Sequence, residues 1–410
     1  MGAGASDDSG GSSGTGGDRG TAPAADAAFL RRRARAQSGN VRIADEVAPG
    51  AEAEWQELRA AVARMFAEMD ASAEFHQPSR FWLYVHKIAM QRLRQAGIGN
   101  FKIAINQSYH NFIPTGRDSP LLARLLDWAR TVDSQEAMFA TMEDPRDLDD
   151  GGPLTEMVGH FFPRGQDGLA LYRTYVALLW DHVSSFDRLR LLERLEEPEL
   201  GNPMRVRHRG KLVSQDLATS VAEANQLFAH LPAAAREGPL DILEVGAGYG
   251  RLAHVLLSCG LARRYVIVDI PPALYVSWWY LSRLLPGLRM QPFAPCADAA
   301  EMAARLEQAD VHFLTPNQAT LLPDRCVDLS VAISALHEMR IDQANRYLRE
   351  MGRTARRLLF TKNYWAYENP ADDFIFRADD YETPPGYRRS ARGSDRLNDS
   401  FFIDVMTRPE

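Results

Sequence analysis

The stretch DILEVGAGYGRLAHVLL, Asp241 to Leu257, constrains the fold more than any other part of the chain. Apolar and β-branched residues (Ile242, Leu243, Val245) run into three glycines at alternate positions, Gly246, Gly248 and Gly250. A helical pattern follows, with Leu252, Val255 and Leu256 on one face and Gly260 placed to end it. The spacing predicts a strand, a tight turn and a helix. Such a unit lets backbone approach a ligand closely, because glycine carries no side chain there, and it points the first unpaired helix amides at the ligand's polar groups.

Glu244 stands two residues ahead of the first glycine, where a dinucleotide-binding turn ordinarily has an apolar strand residue. A carboxylate there suits a cationic ligand better than a pyrophosphate. The next apolar run, YVIVDIP from Tyr265 to Pro271, contains Asp269. It lies about 20 residues beyond the glycine turn, the place of a ribose-binding carboxylate. Two carboxylates and a glycine turn describe a site for an adenosine bearing a positively charged amino-acid tail, and S-adenosyl-L-methionine is that molecule. The expected cofactor contacts are Glu244, Gly246, Ala247, Gly248, Tyr249 and Arg251 at the turn, with Asp269 and Ile270 at the second strand end. Ser334, which ends the strand DLSVAIS, and Asn317 in the loop ahead of that strand complete the set.

EVGAGYGRLA, YVIVDIPPALYVSWWYL and SALHEM resemble the class I methyltransferases, and in their fuller wording the sugar O-methyltransferases of bacterial polysaccharide and natural-product clusters. NFKIAINQSYHNF and SQDLATSVAEANQL resemble that family as well, so the resemblance runs roughly from Phe81 to the C-terminus. It implies a Rossmann-like α/β fold, mostly parallel with an antiparallel last strand. It also implies methyl transfer from S-adenosyl-L-methionine to a sugar hydroxyl of a glycosylated natural product or polysaccharide precursor.

Composition excludes other classes. A net charge of −7 opposes the basic footprint of a nucleic-acid enzyme. Three cysteines without CxxC spacing suggest neither structural zinc nor a disulfide framework, and fit a reducing cytoplasm. No apolar run is long enough for a membrane span, and the N-terminus lacks the apolar core of a signal peptide. The expected partner is a small-molecule substrate, with neither nucleic acid nor membrane; a homo-oligomer is compatible with this.

Along the chain, residues 1–27 are rich in Gly, Ser, Ala and Asp and read as a disordered tail. Arg31, Arg32, Arg33 and Arg35 suit either a polyanion contact or a solvated lead-in. Residues 28–212 read as a helical N-terminal region forming a substrate cap. Helical spacing covers Ala51 to Asp70, a stretch through Phe81 to Met90, Ser119 to Asp133, and Gly168 to Leu195 in one piece or two. In NFKIAINQSYHNF, the side chains of Lys102, Asn106, Tyr109, His110 and Asn111 suit a polyhydroxylated ligand or, alternatively, a polar turn between helices. The resemblance favours the first, with Asn106, Tyr109 and His110 as substrate-binding candidates. Asp144, Asp147, Asp149 and Asp150 suit a divalent cation or simple exposure.

Residues 213–410 read as the S-adenosyl-L-methionine-binding domain, with strand and helix patterns alternating to the last strand, FFIDVMTR. Ser214, Gln215 and Asp216 either border the site or cap their helix.

Methyl transfer from a sulfonium is an in-line displacement whose leaving group the cofactor already carries, so the protein aligns a nucleophile and removes its proton. A neutral imidazole suits a weakly acidic hydroxyl. His337, directly after DLSVAIS, is the candidate base, and Glu338 orients it or contacts a ligand. Alternatively the pair pins its loop to the next helix. His110 and His208 are the other candidate bases. No spacing demands a metal ion. A nicotinamide oxidoreductase would want GxGxxG without Glu244, whereas the glycines here stand at 246, 248 and 250. A third reading is a non-catalytic cofactor-binding module.

Overall fold

The computed structural model describes residues 50–105, 120–132, 140–142, 166–369 and 374–409. The tail, the Arg31 to Arg35 cluster, Asn106 to Asn111, Ser119 and the acidic loop at 143–150 lie outside these residues.

β4 (Leu240–Val245) is the middle of the fold, and every one of its residues is buried. A strand covered on both faces belongs in a parallel sheet flanked by helices. β4 pairs in parallel with β5 (Ala262–Val268) on one side and β8 (Val327–Ile333) on the other. Outward from β5 come β7 (Val311–Leu314) and the two-residue edge β6 (Met290–Gln291), both parallel. Outward from β8 come parallel β9 (Ala355–Tyr364), antiparallel β13 (Phe401–Thr407) and β12 (Arg388–Ser394). The eight-stranded order is β12-β13-β9-β8-β4-β5-β7-β6. This is the mostly parallel sheet with an antiparallel close that the alternation predicts.

Helices cover both faces. α7 (Gln215–Ala229), α8 (Arg251–Ser258) and α9 (Ala273–Leu284) pack on one, contributing Val221, Leu256 and Leu281 to a large apolar cluster. α10 (Ala299–Leu306) and α12 (Ile341–Thr354) pack on the other through Met302, Leu348 and Met351. Each fully buried aliphatic side chain contributes about 1.5–3 kcal/mol.

The helical N-terminal region joins the first cluster. α1 (Glu52–Asp70) and α2 (Arg80–Ala96) bury Leu58, Val62, Met65 and Leu93 there, and Ser79 caps α2 by accepting the Trp82 amide. α3 (Phe101–Ala104), α4 (Pro120–Val132), α5 (Gln166–Ser184) and α6 (Leu191–Arg194) follow, so Gly168 to Leu195 is two helices rather than one. Three features have no counterpart in the sequence reading. They are a small sheet of β1 (Thr141–Met142), β2 (Val206–His208) and β3 (Lys211–Val213), the hairpin β10 (Ala366–Asn369) and β11 (Phe374–Arg377), and the edge strand β12. No helix of the described residues is long and apolar enough to cross a membrane.

Candidate active site

The turn after β4 is built as its glycines require. Gly246, Gly248 and Gly250 have φ of 75°, 60° and 85°, a region other residues enter at a cost. A Cβ on Gly246 would collide with that of Ala335, so the turn lies directly against the segment leaving β8.

The two carboxylates flank this turn. Glu244 is buried and accepts the Tyr265 hydroxyl at 2.7 Å. Asp269 is buried at the end of β5 and accepts the amides of Gly248 at 2.8 Å and Ile270 at 2.7 Å. Burial pushes each carboxyl up to about 7, the hydrogen bonds only partly opposing it. Neither carboxylate makes an ion pair among the described residues. Two desolvated acids beside a glycine cradle form a place for a ligand that brings its own positive charge and hydroxyl donors.

Tyr249 and Arg251 turn their side chains to α7. The Tyr249 hydroxyl donates to Asp216 at 2.9 Å, and its ring packs 5.4 Å from Phe101 and 5.3 Å from Tyr280. Arg251 pairs with Glu223 at 2.5 Å and donates to Ser220 at 2.8 Å; Lys362 reaches Glu223 at 3.1 Å and Asp395 at 3.2 Å. Ser214 caps α7, accepting the Leu217 amide at 3.0 Å, while its hydroxyl donates to Glu197 at 2.6 Å. Lys102 is buried on Glu197 and donates to the Tyr280 hydroxyl at 3.1 Å. The lysine of NFKIAINQSYHNF thus supports the glycine turn from beneath.

Asn317 sits at the end of β7 in α11 (Pro316–Ala319), and its amide donates to Glu68 of α1 at 3.1 Å. Gln318 donates to the same carboxylate oxygen at 2.7 Å. The segment from α1 to α2 touches two more strand ends: Ser79 donates to the Glu338 carbonyl at 3.2 Å, and His86 Nδ1 lies 3.0 Å from the Pro271 carbonyl, which needs a proton on that nitrogen. The N-terminal helices therefore lie over the carboxyl ends of β5, β7 and β8, where open α/β sheets bind ligands. Glu68, Ser79 and His86 were missed in the sequence reading, because nothing local marks a residue whose partner is 185 or more residues away.

Beyond β8, Ser334 has φ of 56° and donates its amide to the Lys362 carbonyl at 2.8 Å. His337 occupies a single 3-10 turn, Leu336–Glu338, and is fully buried. Its ring lies 4.8 Å from Tyr364, 4.9 Å from Tyr367 and 6.1 Å from Phe401, and the two tyrosines stack on each other. Glu338 beside it is also buried. An imidazole this deep exchanges a proton only with a group brought in beside it. His208 lies 2.8 Å from Asp181, in the small sheet against α5. Asn106, Tyr109 and His110 lie outside the described residues.

No protein family matches the chain, and no curated protein does. Among solved structures, magnesium protoporphyrin IX methyltransferase of Synechocystis PCC 6803 is 14% identical, covering 48% of this chain and 83% of that one, with a TM-score of 0.33. An S-adenosylmethionine-dependent methyltransferase of Aquifex aeolicus is 16% identical over 42% and 84%, TM-score 0.29. The [4+2]-cyclase SpnF is 15% identical over 47% and 82%, TM-score 0.33.

Proposed function

We propose that the chain is an S-adenosyl-L-methionine-dependent methyltransferase that methylates a sugar hydroxyl of a glycosylated small molecule. The observation that supports this most is the pair of buried carboxylates, Glu244 and Asp269, on either side of the glycine turn, neither of which makes an ion pair among the described residues.

The cofactor supplies an activated methyl group and its own leaving group. Asp269 would accept from the ribose hydroxyls, Glu244 would face the cationic tail, and the turn at Gly246 to Gly250 would leave room for the tail along the backbone. The N-terminal helices exclude water, which strengthens each of these charge interactions. His337 takes the proton from the acceptor hydroxyl and Glu338 orients the acceptor side. Tyr364 and Tyr367, both only partly buried beside His337, would border the acceptor's apolar side.

Calorimetric titration with S-adenosylhomocysteine, with NAD as comparison, tests the cofactor half. Selective binding of the former is expected, and binding of neither would overturn it. Nucleotide sugars and glycosides, assayed as acceptors with labelled cofactor, test the other half; methylation of amines alone would replace the hydroxyl by nitrogen.

A further inference from the structure

Two cations meet on one carboxylate of α7. Arg251, the first residue of α8, holds Glu223 by two bonds, Nη1 to Oε2 at 2.5 Å and Nη2 to Oε1 at 3.1 Å, and Nη1 also donates to Ser220 at 2.8 Å. Lys362 of β9 lies between Glu223 at 3.1 Å and Asp395 at 3.2 Å. The side chains of Glu223, Lys362 and Asp395 are at most 5% exposed, so these charges have almost no water to screen them. Two cations and two carboxylates leave the cluster without net charge. Nearby, Lys102 and Glu197 balance each other, and Asp216, the other acid of α7, accepts the Tyr249 hydroxyl.

The balance matters because Glu244 is within reach of it. Glu244 bonds to Tyr265 on the face of the sheet that α7 and α8 cover. Burial does most to lift its carboxyl, while Arg251 pulls it down and Glu223 pushes it up, so both charges act on it through the interior. A buried ion pair stabilises a fold little more than apolar residues of the same volume would. Packing alone therefore does not call for Glu223 among Val221, Ala222, Ala224 and Leu227. An unbalanced Arg251, by contrast, would oppose any positive ligand at Glu244.

We propose that Glu223 is a positioning residue of the cofactor site: it draws the Arg251 guanidinium onto α7 and cancels its charge, so that Glu244 stays open to a sulfonium rather than to a cation of the protein. The proposal rests on the cofactor reading above. S-adenosyl-L-methionine and S-adenosylhomocysteine share the adenosine and the zwitterionic tail, and differ by one methyl group and the charge on sulfur. A change in their affinity ratio, caused by a residue that touches neither, reads that charge.

The test is calorimetric titration of the full chain with both compounds at neutral pH, without an acceptor. Glu223→Gln leaves Arg251 uncompensated and should shift the ratio against S-adenosyl-L-methionine by about tenfold, the scale of one added charge acting through a protein interior. Adding Arg251→Met removes the cation and should return most of the ratio. Lys362→Gln leaves the cluster one negative charge, should shift the ratio the other way by about threefold or more, and serves if Glu223→Gln does not fold. An unchanged ratio in these single variants overturns the proposal even where both ligands weaken, since Glu223 would then only latch α7 to α8. A shift in Glu223→Gln that Arg251→Met does not reverse overturns it too. Wild-type protein that binds neither compound overturns the cofactor reading as well.

Discussion

The carboxylate of Asp269 accepts the amide hydrogen of Gly248 at 2.8 Å, so the acid at the end of β5 and the turn after β4 are held as one unit. Burial lifts Asp269 from 3.8 to about 7 and Glu244 from 4.5 to about 7. Between those limits the folded chain holds protons that the unfolded chain has released. Their contribution to stability is therefore full below about pH 4 and is lost as pH rises through 7. A cationic ligand favours the ionised acids, so its affinity should move the opposite way, rising about tenfold from pH 5.5 to pH 8. Titration with S-adenosyl-L-methionine, whose sulfonium persists when no acceptor is present, across that range, beside urea unfolding of ligand-free protein and of Asp269→Asn, checks both signs. A flat affinity profile would remove the two acids from the site.

His337→Phe keeps the aromatic packing against Tyr364 and Tyr367 but removes the imidazole nitrogens. If His337 is the base, methyl transfer should fall about 100-fold or more, the usual scale of general-base catalysis. Affinity for S-adenosylhomocysteine should stay within about twofold. Wild-type turnover in this variant would leave His337 a packing residue of the loop.

Lys102 and Glu197 have side chains only 5% and 3% exposed, so neither charge has water to fall back on. Lys102→Met should destabilise the fold by about 3–5 kcal/mol, because Glu197 is left buried without its cation. Adding Glu197→Gln should restore most of the loss, since a carboxamide still accepts the Ser214 hydroxyl. Urea denaturation of the three proteins reads this directly, and a loss below about 1 kcal/mol for the single variant would count against the pairing.

The centre of the fold was legible because its physics is local. β4 and β8 are apolar runs buried on both faces, and the glycines of the turn occupy the left-handed region that glycine enters most cheaply. Glu244 and Asp269 fall near the ends of β4 and β5, where the apolar strand patterns put them. β12 was not legible. Its sequence, RRSARGS, alternates nothing, and it survives as an edge whose Arg389 and Arg392 fold inward onto buried Asp404. The hairpin of β2 and β3 did leave a signal, an Arg209-Gly210 pair with φ of 51° and 79° between VRH and KLV, which is a two-residue turn. Glu68, Ser79 and His86 left none, since an acid, a hydroxyl and an imidazole on amphipathic helices look the same whether they face solvent or a strand end.

The hydrogen bonds that hold the N-terminal helices over the strand ends join residues far apart in the chain. His86 to Pro271 spans 185 residues, Glu68 to Asn317 249, Ser79 to the Glu338 carbonyl 259, and Gln343 to the Phe75 carbonyl 268. During synthesis these helices emerge long before the loops they rest on exist. At about 5–20 residues per second, the wait between Ser79 and Glu338 is on the order of 10–50 s. Their apolar faces must stay out of aggregates for that interval, because the roof cannot close until five of the strands beneath it have been made.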